Sequence, residues 1–199
     1  MPKIPNSYKI EDCTKYVIYG SLLGDGSITK SKNMTNYRFS IAHSEKNYDY
    51  IEWKKSIINI PSSIWADKKR NLVQLQTRSC IELTELRNHF YKDGKKIFPC
   101  NVNLDDVLSP LSLAIWYMDD GCYSKRECIF TSEFISDEDI LKIQKYLFER
   151  YKIETSIWSN NRIRVKKSSE DIFFELISEY VNQVPSMVYK ISTKYVPLG

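Results

Sequence analysis

Apolar residues fall in two rhythms along this chain, and both halves carry both rhythms. A spacing of three to four runs through residues 12–25, 44–58 ("SEKNYDYIEWKKSII"), 80–90, 111–120, 136–151 ("SDEDILKIQKYLFERY") and 168–181, which predicts six helices. Strict alternation marks stretches between them. Val73 and Leu75 oppose Gln74, Gln76 and Arg78, while Ile163 and Val165 oppose Arg162, Arg164 and Lys166, as in strands with one buried face. These belong to hairpins turning near Lys69-Arg70-Asn71 and at Asn160-Asn161, and further strands are predicted at 37–44 ("YRFSIAHS") and 127–134 ("ECIFTSEF"). Each half therefore reads as helix, two strands, helix, two strands, helix.

Short motifs repeat in step with this pattern. "SIW" at Ser63–Trp65 returns at Ser156–Trp158, an offset of 93; Asp25 in "LLGDG" returns as Asp120 in "YMDDG", offset 95; Lys96-Ile97 returns as Lys190-Ile191, offset 94. Three landmarks at nearly one offset indicate a duplication. The expected architecture is an α+β fold, a pseudo-twofold αββαββα duplication with two antiparallel sheets. Residues 1–199 form one compact domain of two halves, 1–100 and 101–199.

Composition narrows the function classes. At 42% hydrophobic and 27% charged, the 199-residue chain is an ordinary globular protein. The longest strictly apolar run, Leu113–Met118, falls far short of the roughly 20 residues of a membrane span, and the first residues lack the apolar stretch of a secretory signal. Five cysteines, an odd number with no C-x-x-C pair, argue against a disulfide framework or zinc ribbon. No membrane association is expected, and the compartment is a reducing one, cytoplasmic or the interior of an organelle.

A net charge of +4 announces no polyanion partner by itself, so placement decides. The polar strand faces and adjoining turns carry Lys30, Lys32, Arg38, Ser40, Lys68, Lys69, Arg70, Gln74, Gln76 and Arg78 in the first half. The second half supplies Lys125, Arg126, Arg162, Arg164, Lys166 and Lys167, with acids expected only at the edges. Side chains of these types reach phosphates and base edges, so the two sheets are expected to form a saddle for double-stranded DNA.

Acids at two helix ends carry the candidate chemistry. Ser109 and Pro110 form a helix start, an N-cap with proline behind it. The helices 12–25 and 111–120 are expected to place Asp25 and Asp120 last, with Gly26 and Gly121 as left-handed stops. A helix C-terminus carries partial negative charge, so an acid there costs roughly 0.3–1 kcal/mol. Gly20 and Gly24, four apart, bare one stripe of the first helix, and Ala114 and Met118 have the same spacing in the second. Packed in parallel, the two helices would bring Asp25 and Asp120 to one pole, an arrangement that calls for a cation. Mg²⁺ fits carboxylate oxygens, with Mn²⁺ as its substitute. Asp119, on another side of its helix, has no assigned part beyond a cap or solvent contact.

The segments "IYGSLLGDG" (18–26) and "LAIWYMDDG" (113–121) resemble the two copies of the LAGLIDADG motif, and nearly the whole chain is similar to the single-chain, double-motif homing endonucleases of that family. Leu23 stands where the first motif has its first acid, a position that is not the family's metal ligand. The resemblance implies cleavage of both strands of a long DNA target across the minor groove, leaving short 3′ overhangs. It also implies a monomer, with Asp25 and Asp120 as metal ligands and Lys96 and Lys190 as the catalytic loop lysines. His43, on the strand face of Tyr37, Phe39 and Ile41, and His89 have no histidine partner at ligand spacing, so neither is assigned a part. The alternative on the same fold is a binding module, either an RNA maturase whose partner is intron RNA or a DNA-binding regulator that does not cut.

Overall fold

The computed structural model describes residues 7–125, 127–130, 133–158 and 162–197. The first half runs α1 (Asp12–Leu23), β1 (Ser27–Thr29), β2 (Arg38–Ser44), α2 (Tyr48–Ile57), β3 (Ser62–Asp67), β4 (Leu72–Thr77) and α3 (Ile81–Phe90). A small hairpin, β5 (Tyr91–Lys92) and β6 (Lys95–Lys96), and a short helix, α4 (Leu104–Val107), lead into the second half. There α5 (Pro110–Asp120), β7 (Gly121–Ser124), β8 (Glu127–Phe130), α6 (Asp137–Tyr151), β9 (Thr155–Trp158), β10 (Arg162–Val165) and α7 (Glu170–Val181) repeat the order. The αββαββα duplication and the α+β class are both present.

The two sheets share one topology. Their orders are β1-β2-β4-β3 and β7-β8-β10-β9, with every pairing antiparallel. Alternation sorts the side chains as the sequence pattern requires. Ile41 pairs with Leu75, and His43 with Val73, on the buried face, while Ser40 pairs with Gln76 on the opposite one. Ile163 and Val165 are likewise buried, between exposed Arg162 and half-buried Arg164. The turn at Asn160-Asn161 lies outside the described residues. Buried side chains of both halves form one apolar cluster, with Val17, Ile18, Leu22 and Leu23 of α1 and Leu113–Met118 of α5 at its centre.

Helix caps match the sequence at two of three starts. Ser109 and Ser136 accept hydrogen bonds from the amides of Ser112 and Asp139. Ser44 makes no such bond, because the strand pairing continues past it. Ser44 still pairs with Leu72 and the Glu45 amide donates to Asn71 O at 3.0 Å, so a 3-10 turn over Glu45–Asn47 precedes α2.

The motif helices end differently from the expected pattern. Helix α1 stops at Leu23, where the Gly24 amide turns back to Gly20 O and Ser21 O, so Asp25 lies in the turn beyond the helix. Asp120 does close α5. Gly121 is extended (φ −85°, ψ 159°), and Gly26 is not left-handed either; among the described residues Gly94 is the one glycine with positive φ. Crowding explains both glycines. A Cβ on Gly26 would sit 2.7 Å from Ser21 O, and one on Gly121 would collide with the Tyr117 ring.

Candidate functional site

The two motif helices pack in parallel. Ser112 Oγ donates to Tyr16 O at 3.0 Å, Gly20 backs onto Ser112 and Ile115, and Gly24 backs onto Asp119, so contacts climb both helices in step. The residues facing the two glycines are thus Ser112, Ile115 and Asp119, while Ala114 and Met118 lie buried in the core. The repeat offset of 95 at this interface explains the shift, since it matches Gly20 with Ile115 and Gly24 with Asp119.

At the shared pole stand the predicted acids. Burial, then Asp25, then Asp119 push the Asp120 carboxyl up to about 7, against the pull of Lys96 and Lys190. Asp25 is more open, its side chain 46% exposed. The two lysines close the pole symmetrically. Lys96 Nζ donates to Gly24 O at 2.8 Å, and Lys190 Nζ donates to Asp119 O at 3.2 Å and to Met118 O. Each ammonium thereby sits on terminal carbonyls of a motif helix, the end where a cation is favoured. Burial lowers the pKa of both, with the acids of the pole opposing.

Asp119 is neither a cap nor a solvent contact. Its side chain is fully buried, and three groups from the first half converge on it. Lys54 Nζ donates to both carboxylate oxygens at 2.8 and 3.1 Å and to Ser21 Oγ at 3.1 Å; Tyr50 Oη donates at 2.8 Å. His43 Nε2 lies 3.2 Å from Asp119 Oδ1, off the hydrogen-bond line, while its Nδ1 is 3.7 Å from Asp25 Oδ2. Burial alone would raise the Asp119 carboxyl, but Lys54 and then His43 outweigh it and bring the pKa down to about 2. Burial lowers the Lys54 pKa in turn, and Asp119 opposes that loss.

Sequence reasoning missed His43, Tyr50 and Lys54. A signal was present for Lys54. With Tyr50 it forms an i, i+4 pair on the buried stripe of α2, and a lysine in such a stripe requires an acid partner.

Two donor sets could attract a divalent ion. Ligand atoms of Asp25, His43 and Asp119 lie within 4.8 Å of one another. That set is compromised, because an ion there would have to compete with Lys54 for Asp119. Asp25 and Asp120 fit better: they are hard oxygen donors, and the burial of Asp120 together with the charge of Asp25 is only partly offset by the lysines.

Most of the expected DNA-facing side chains lie on one side of the sheets or at their tips. Lys30, Lys32, Lys68, Lys69, Arg70, Arg78, Lys125, Arg162, Lys166 and Lys167 are exposed; Arg38, Gln74, Gln76 and Arg164 are half-buried; Arg126 lies outside the described residues. Ser40 is buried and accepts a hydrogen bond from Gln74. The expectation of acids only at the edges does not hold. Glu127, on the interior strand β8, pairs with Arg164 at 3.2 Å, whereas Glu154, which pairs with Lys166 at 2.8 Å, does stand at the edge, just before strand β9.

The model of the LAGLIDADG DNA endonuclease family matches residues 15–192, which takes in both motifs and both sheets. The chain belongs to this family. The solved structure of "the homing endonuclease I-WcaI bound to its DNA recognition sequence" superposes with a TM-score of 0.74 at 20% identity, covering 100% of this chain and 97% of that one. This chain therefore has the homing endonuclease fold. "Cytochrome b mRNA maturase bI2" of Saccharomyces cerevisiae is 30% identical over 199 aligned residues, 88% of this chain and 46% of that protein. "Protein RecA" of Mycolicibacterium flavescens is 29% identical over 213 aligned residues, 94% of this chain and 48% of that protein. The chain spans about half the length of these two relatives. Among the described residues, no helix is long and apolar enough to cross a membrane.

Proposed function

We propose that this LAGLIDADG protein is a site-specific endonuclease that hydrolyses both strands of a long DNA target and leaves short 3′ overhangs. One observation carries the proposal. Asp25 and Asp120 meet at one pole of two parallel helices, close enough for Asp25 to help raise the Asp120 pKa to about 7, with Lys96 and Lys190 seated on the same helix ends.

In this reading Asp25 and Asp120 would hold the divalent ion, Mg²⁺ by preference with Mn²⁺ as substitute. Such an ion supplies an activated water and neutralises charge on the leaving 3′ oxygen. The chain's own residues do the rest. Lys96 and Lys190 stand ready to steady negative charge on the phosphate, while the exposed basic tips hold the backbone and Gln74, Gln76 and Arg164 face the grooves. The description of I-WcaI as bound to its recognition sequence supports a DNA target for this chain. The protein acts as a monomer of one domain, both halves contributing to one core, in the cytoplasm or an organelle interior.

A second reading is favoured by the yeast relative, whose name is that of an mRNA maturase. On it the same basic faces would bind intron RNA. Selection from a randomised duplex pool with Mg²⁺ separates the two readings: recovery of one cut sequence supports the nuclease. Retention of structured RNA with no cut duplex supports the maturase.

A further inference from the structure

The pseudo-twofold is broken beside Asp25. Around Asp119 the first half contributes Ser21, Tyr50 and Lys54. The repeat offsets assign each of these a counterpart in the other half: Asp119 answers to Gly24, Ser21 to Trp116, and Tyr50 and Lys54 to Ile143 and Leu147 of α6. All four counterparts are buried, and none is charged. One flank of the helix pair thus holds a sealed ionic cluster and the other an apolar plug.

His43 sits at the mouth of the ionic flank. It is buried at 9% exposure, with Nε2 toward Asp119 and Nδ1 toward Asp25. Its ring leans on the Tyr50 ring, centroids 5.1 Å apart, and Tyr50 is itself fixed to Asp119. The imidazole therefore has a rigid backing and one open direction, the Asp25 carboxylate. The second half has no histidine with which to repeat this arrangement. Ile28 pairs with Phe39 and its counterpart Tyr123 with Cys128, so the repeat aligns the two strands here, and the sequence of residues 101–199 contains no histidine to answer His43. The chain's other histidine, His89, faces Cys100 O at 3.1 Å.

We infer that His43 is a positioning residue for Asp25 alone, held from behind by Asp119, Tyr50 and Lys54, and that the two strand cuts are consequently unequal in their demands. The inference rests on the nuclease reading, with Asp25 as a ligand. Groups backing a metal ligand in this way typically change metal affinity or activity by about 10–100-fold when removed.

The test uses the full chain and the duplex returned by the pool selection, with each strand labelled separately. His43→Ala is expected to slow one strand at least about tenfold and leave the other within about twofold, so that nicked duplex accumulates, while DNA affinity is unchanged. His43→Gln should restore part of the lost rate, and it keeps the test open should the alanine variant fold poorly. Equal slowing of both strands, or no slowing, overturns the inference. Mn²⁺ alone, titrated into DNA-free protein and followed by electron paramagnetic resonance, gives a reading independent of cleavage. His43→Ala should weaken the ion about tenfold, in the direction of Asp25→Asn. Unchanged Mn²⁺ affinity overturns the role of His43 even if the wild type cuts DNA. A wild type that binds Mn²⁺ but cuts no duplex removes the nuclease reading and leaves the link between His43 and Asp25 standing.

Discussion

Gly24 and Asp119 meet where the two halves join, and each explains the other. A Cβ on Gly24 would lie 2.5 Å from Asp119 Cβ, so the glycine is the room in which a buried carboxylate fits between two helices. Gly24→Ala should therefore force the helices apart and cost about 1–3 kcal/mol, the usual range for overpacking. Thermal unfolding measures it; an unchanged melting temperature would mean that the helices do not press together as described.

The Asp119–Lys54 pair should behave as a buried ion pair. Lys54→Met leaves a carboxylate sealed without its cation, and the expected loss is about 3–5 kcal/mol. Adding Asp119→Ala removes the stranded charge, so the double variant should be more stable than Lys54→Met alone. A denaturant-based double-mutant cycle decides, and strict additivity would count against the pair.

The duplication, the strand alternation and the capping at Ser109 and Ser136 were legible in the sequence because each is a local or strictly periodic signal. Asp25, Asp120, Lys96 and Lys190 were legible because the repeat names them twice. The role of Asp119 was not. Its partners Lys54 and Tyr50 lie 65 and 69 residues away, and no repeat copy points to them, because the counterparts are apolar. The end of α1 was misplaced for a different reason: glycine is a usual helix stop, and with glycines at 24 and 26 the earlier one takes that position.

Asp120 should make the metal-free protein less stable as pH rises. Its folded pKa of about 7 lies above the ordinary 3.8, so the native state keeps a proton that the unfolded chain releases. That stabilisation is complete below about pH 4 and is lost as pH climbs to about 7. Allowing for solvent screening at a partly open site, the effect is on the order of 1–2 kcal/mol. Asp120→Asn should flatten the profile between pH 4.5 and 7.5. Identical slopes in the two proteins would show that Asp120 is neither buried nor crowded by like charge as described.

Binding to DNA should depend steeply on salt if the exposed lysines and arginines contact phosphates. Lys68→Ala is expected to weaken binding evenly across sequences and lower the salt slope by about one. Glu127→Gln should act in the opposite direction, because it frees Arg164 from an ion pair on the same face. Fluorescence anisotropy over a salt series measures both, and a flat series in the wild type would place the nucleic acid elsewhere.

The paired acids are the centre of the account, and cleavage by three proteins on one duplex tests them directly. The selected target is incubated with Mg²⁺ and wild type, Asp25→Asn or Asp120→Asn, and double-strand breaks and bound complex are quantified together. The account predicts a double-strand break with short 3′ overhangs for the wild type alone, with affinity retained in both variants. Double-strand cutting by either variant at the wild-type rate would contradict it.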